Sequence, residues 1–184
     1  MKMNRRYLVL AALLGSIVSC ADTATEPFSR PNFSGNDDDA VLAPVTLNTP
    51  AIERTVYVQV DGSGGKLEDH VNGHEIKIMP KTVNEPTWFV MRTLAGSHIV
   101  VDLTAWRNVN GVWVQITTFD SDGIKLRLSY GNTDVKQPNR LRVVYLPDEH
   151  VNGTLDPLTT LIDKTNKQAQ AKLSHFSKYS MAID

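Results

Sequence analysis

The 184-residue chain has one cysteine, Cys20. No disulfide can close within a single copy, so even in an oxidising compartment the fold must stand on burial and hydrogen bonding. Long hydrophobic runs are missing too. Crossing a bilayer takes roughly 20 apolar residues, and the run from Tyr7 to Leu14 falls well short of that. Charge of one sign is also lacking. The formal net charge is −1, and no segment is basic enough to track a phosphate backbone, which argues against nucleic acid or an anionic membrane surface as partner. Beyond residue 50 no useful stretch carries a helical apolar period, which argues against a helical domain. No nucleophile elbow, P-loop or metalloprotease helix is present, so the common hydrolase and nucleotide-binding chemistries have no foothold.

What is present begins with an address. Lys2, Arg5 and Arg6 precede the apolar run Tyr7-Leu8-Val9-Leu10-Ala11-Ala12-Leu13-Leu14, which closes on Ile17-Val18-Ser19-Cys20. A basic segment, a short apolar segment and small residues before a cleavage point form an export signal. The pattern resembles the lipobox of bacterial lipoproteins. That resemblance implies a signal peptide over residues 1–19 and lipidation of Cys20 with acyl chains such as palmitate. The expected location is therefore extracytoplasmic, with the protein held at a membrane through its lipid. Ala21 follows the cysteine where many lipoproteins kept at the inner membrane have Asp, so the same resemblance favours the outer membrane.

Residues 20–50 read as the lipidated N-terminus and a disordered linker. They are rich in Ser, Thr, Pro, Asn and Asp, and residues 21–50 hold five acidic side chains against Arg30 alone. Such a composition cannot bury enough apolar surface to offset the entropy of ordering. The run Asn36-Asp37-Asp38-Asp39 lacks the alternating spacing and distal glutamate of a calcium loop.

From there the period becomes two. Thr55-Val56-Tyr57-Val58-Gln59-Val60, His74–Ile78, Ile99–Leu103, Val112–Ile116, Ile124–Leu128 and Leu141–Tyr145 each alternate between an apolar and a wetter face. Asn72-Gly73, Asn110-Gly111, Asp122-Gly123 and Asn152-Gly153 supply hairpin turn chemistry between them. Thr165-Asn166-Lys167 reads as one more turn, with Ala169, Ala171 and Leu173 alternating after it. Many short strands spaced by turn signals predict an all-β antiparallel sandwich over residues 51–184.

Three motifs then carry a family resemblance: Ser63-Gly64-Gly65-Lys66-Leu67, Ile76-Lys77-Ile78-Met79-Pro80 with Pro86-Thr87, and Leu173-Ser174-His175-Phe176-Ser177-Lys178-Tyr179. Together, over about residues 54–184, they resemble the ZU-five domain of zonula occludens proteins, netrin receptors and ankyrins. They resemble still more the ZU-five-like domains of bacterial exported proteins that end on His-Phe-Ser-x-Tyr. Where the animal pattern has Pro-Gly-Ala, this chain has Pro80-Lys81-Thr82-Val83. The resemblance implies a β-sandwich that serves as a structural or docking module, without catalytic turnover and without cofactors.

Three functional readings follow. The first is a lipid-anchored structural or protein-interaction module of the cell envelope. The second is a carbohydrate-binding module. Trp88, Trp106 and Trp113 could stack on sugars, although each lies in or beside an apolar strand, where core or half-buried packing is the default. An exposed tryptophan row on one sheet face would mark this reading. The third is self-cleavage between Phe176 and Ser177, known in some ZU-five domains that carry His-Phe-Ser. In a strand His175 and Ser177 would share a face, and a bulge near Ser177–Lys178 would place Phe176 and Tyr179 together. No metal site is expected. His70 and His74 flank one turn and read as surface decoration, and two histidines fall short of a zinc set.

Overall fold

Strict alternation in the apolar segments builds two facing antiparallel sheets. A computed structural model of the chain describes residues 42–119, 123–146 and 155–184. The signal segment, Cys20 and the turn residues Asp122, Asn152 and Gly153 lie outside the described residues. The strands are β1 (Ala43–Pro44), β2 (Thr46–Ala51), β3 (Arg54–Val60), β4 (Gly65–Asp69), β5 (His74–Ile78), β6 (Thr87–Thr93), β7 (Gly96–His98) and β8 (Val100–Val109). They continue with β9 (Val112–Ile116), β10 (Ile124–Ser129), β11 (Leu141–Leu146), β12 (Asp156–Pro157), β13 (Thr160–Asp163), β14 (Gln168–Leu173) and β15 (Lys178–Ile183).

The larger sheet runs β12-β11-β15-β8-β6-β3, with β1 added beside β15 and β9 beside β8. The smaller runs β13-β14-β10-β5-β4, and β2 pairs separately with β7. Phe89, Met91, Leu103, Ala105, Val143, Tyr179 and Met181 face inward from the first sheet. Leu67, Ile76, Ile78, Leu126, Ala171 and Leu173 meet them from the second. The result is the expected all-β sandwich.

One expected boundary moves. Residues 43–50, assigned to the linker by composition, enter the fold as β1 and β2. Val45 is buried, and its N–H donates to the Met181 carbonyl at 2.9 Å. Ala43 pairs with Ile183 and Pro44 with Ala182. A sheet edge can capture a segment of low apolar content because backbone hydrogen bonds need no particular side chain.

The turns divide into two kinds. Asn110-Gly111 makes a two-residue hairpin with φ of 53° and 86°, as a tight turn with positive φ at both positions requires. The β4–β5 and β13–β14 connections are four residues long and are tied by an aspartate at the strand end. Asp69 accepts from the N–H groups of Val71 and Asn72 and from the Asn72 side chain. Asp163 accepts in the same way from Thr165 and Asn166. In Ser63-Gly64-Gly65, Gly64 has φ +82°, and a Cβ there would come within 2.7 Å of the Ile78 carbonyl oxygen. Only glycine suits that position.

Candidate functional site: an outward aromatic stripe

Alternation along β6 sends Thr87, Phe89, Met91 and Thr93 inward, which turns Trp88 and Val90 out. Register then carries the outward face across four strands. Trp88 pairs with Gln59 on β3 and with Trp106 on β8, and Trp106 pairs with Gln115 on β9. One step to one side, Tyr57 opposes Val90; one step to the other, Asn108 opposes Trp113. Tyr57, Trp88, Trp106 and Trp113 therefore form a diagonal stripe, one ring per strand. Tyr57 is 69% exposed, Trp106 36% and Trp113 53%, while Trp88 is half-buried with its ring 5.9 Å from that of Tyr57. None of the three tryptophans lies in the core. On β6 and over most of β8 the opposite side is apolar and is taken by the partner sheet, whereas on β9 Val112 and Val114 stay exposed on the opposite side as well.

The stripe is flanked by amides and hydroxyls: Gln59, Thr104, Asn108 and Gln115. Its charges are matched. Arg92 donates twice to Glu53, at 3.0 and 2.6 Å, and lies opposite Asp102. Beside Gln59 opens a shallow cleft of about 280 Å³ lined by Asp61, Ser63, Gly64 and Pro86. Hydrogen bonds from the Ser63 hydroxyl and N–H hold the Asp61 carboxyl below its ordinary pKa.

The His175–Ser177 segment is built differently from a regular strand. It leaves β14 at Leu173 and rejoins the sheet at Lys178. In between, the Phe119 N–H donates to the Ser174 carbonyl, the Phe176 N–H to the Thr117 carbonyl, and the Leu103 N–H to the Ser177 carbonyl. Phe176 and Tyr179 both turn inward, as a bulge would place them. The Phe176 ring sits 4.8 Å from Phe119 and 5.7 Å from Phe89. His175 packs edge-on against Tyr145 at 5.0 Å, and its Nδ1 lies 3.5 Å from the Ser174 hydroxyl. No hydrogen bond joins His175 to Ser177, and neither Phe176 nor Ser177 has positive φ. Among the described residues no hydrogen bond gives Ser177 a base.

His70 and His74 also separate. His70 stays on the surface, while His74 is 3% exposed and faces inward. Its Nδ1 accepts from the Ser129 N–H at 3.1 Å. Burial lowers its pKa to about 4, against the opposing pull of the Asp69 carboxylate. Burial works to raise the Asp69 pKa, but donors from Thr93, Asn72 and Val71 outweigh it and hold the carboxyl low. No group of three or more potential metal ligands occurs among the described residues.

The buried imidazole has a consequence for stability. The unfolded chain takes up this proton near pH 6.5, whereas the native protein does so only near pH 4. Over that window the unfolded state binds more protons, so stability falls as pH drops, by about 2 kcal/mol at pH 5. Urea unfolding at pH 7 and pH 5 should show that loss in the wild type and much less of it in His74→Gln. An equal loss in both proteins would show that another group is responsible.

Sequence reasoning singled out the tryptophans but missed Tyr57, Gln59 and Gln115. A signal was there: an aromatic on the wetter face of an alternating strand, at Tyr57. No protein-family model, curated protein or solved structure matches the chain.

Proposed function

We propose that this is a lipid-anchored, extracytoplasmic carbohydrate-binding module, without catalytic turnover, whose aromatic stripe stacks on sugar rings. The observation that carries it is the placement of Tyr57, Trp88, Trp106 and Trp113 on one outward sheet face, bordered by amide side chains. Aromatic rings offer flat, apolar faces at low entropic cost, and a pyranose presents a matching face of C–H groups ringed by hydroxyls. Gln59, Asn108 and Gln115 can exchange hydrogen bonds with those hydroxyls. The lipobox-like segment ending at Cys20 supports the anchor and the envelope location, with the outer membrane favoured by Ala21.

A protein-docking role is the second reading, and β9 favours it. Val112-Trp113-Val114-Gln115-Ile116 lies at a sheet edge with no charge or proline, and Val112 is 64% exposed. Bare edges of this kind accept an added strand from a partner. The ZU-five-like motifs over residues 54–184 point the same way.

Two measurements test the proposal. In membrane fractionation the wild type is expected with the membranes and Cys20→Ser in the soluble fraction; a variant that stayed bound would remove the lipid assignment. On a glycan array the protein should bind sugars. Silence on the array, together with co-purification of an envelope protein, would move the function to the β9 edge.

A further inference from the structure

We infer that the stripe takes a single linear, uncharged polysaccharide chain of equatorially linked pyranoses, lying diagonally across β3, β6, β8 and β9 over about four sugars. This rests on the carbohydrate reading above and gives it a ligand class, a direction and a length.

The direction comes from register. Tyr57 stands one pair to one side of the Trp88–Trp106 pair, and Trp113 one pair to the other. Strands lie about 4.8 Å apart and residues on one face repeat every ~6.8 Å, so three strand steps and two pair steps span roughly 20 Å. Four rings in a line therefore suit an oligosaccharide better than a monosaccharide, which would leave most of the stripe empty.

Linkage and form follow from shape. Equatorial linkage keeps successive pyranoses extended and their apolar faces available along a straight path, whereas axial linkage coils the chain away from a line of rings. Successive strands rotate by roughly 20–25°, so the four rings cannot be coplanar. That twist fits one hydrated chain and disfavours a flat crystalline surface.

Neutrality follows from the charges on the face. Arg92 is bonded to Glu53 and faces Asp102, and Asp102 lies between Arg92 and Lys178 across its two neighbouring strands. Among the described residues of this face two cations, Arg92 and Lys178, stand against two carboxylates, Glu53 and Asp102, so no net positive charge is there to recognise a uronic acid or sulfate, and the groups beside the rings are Gln59, Thr104, Asn108 and Gln115.

Calorimetric titration of the full-length protein with β-1,4-linked glucose and N-acetylglucosamine oligomers of one to six units tests this. Affinity in at least one series is expected to rise roughly tenfold for each sugar that gains a ring, and to level off at about four units. Tyr57→Ala and Trp113→Ala should each bring the plateau to shorter chains. Affinity independent of length, or a preference for α-linked or polyanionic glycans, would overturn the inference while leaving carbohydrate binding in place. If no glycan binds at all, the proposed function falls with it.

Discussion

Trp106→Ala is expected to weaken glycan binding by roughly 10- to 100-fold while leaving the sandwich folded. Trp106 is one of the two inner rings of the stripe, opposite Trp88 on one side and Gln115 on the other. Stacking of a nucleobase on an aromatic side chain contributes about 1–3 kcal/mol; the C–H face of a pyranose on an indole is set at the same scale, and each 1.4 kcal/mol is about tenfold in affinity. An inner ring should cost more than an end ring such as Trp113, because a ligand shifted by one sugar still needs it. The inward side of β8 at this point is Ala105, 0% exposed, so the core does not depend on the indole. Titration against the best array ligand, alongside a thermal melt, separates the two effects. Unchanged affinity in a folded variant would remove the stripe from the binding site.

The second large effect concerns Phe176. Replacing it with alanine should destabilise the fold by about 3–5 kcal/mol, the range for emptying a buried aromatic position. Its ring joins Phe89 and Phe119 in one cluster, with the Phe89 contact edge-on at 79°. Such pairs add about 0.5–1.5 kcal/mol beyond area burial. The neighbouring Phe176 N–H bond to Thr117 and the Phe119 N–H bond to Ser174 tie the segment after β9 to the one before β15, so the ring closes a joint as well as filling space. Natural domains hold only about 5–15 kcal/mol in total. The urea midpoint should therefore drop sharply with an unchanged slope. Ser177→Ala, at a half-buried hydroxyl, should shift it little. A Phe176→Ala loss under about 1 kcal/mol would contradict the anchoring role.

Both effects come from residues the sequence singled out, but their roles were legible to different degrees. Phe176 was marked by the His-Phe-Ser motif, and its inward turn with Tyr179 follows from the period once a bulge is admitted. The tryptophans were visible as residues, yet their apolar strand context pointed toward packing. The buried state of His74 was hidden, because a histidine beside Asn-Gly looks like any turn residue. Its burial depends on β10 supplying the Ser129 N–H from 55 residues away.

By itself the sequence determined β3, β5, β9, β10, β11, β14 and the start of β8, with their alternation, the tight Asn110-Gly111 hairpin and hence the all-β sandwich, because a period of two and positive-φ turn residues act over a few neighbouring positions. Only the tertiary structure decided which strand lies beside which, and in what register. That is what drew residues 43–50 into the fold and aligned Tyr57, Trp88, Trp106 and Trp113 across the larger sheet. Alternation gives each side chain one of two faces. Whether that face meets a second sheet or water, and which rings become neighbours there, depends on pairings between segments far apart in the chain.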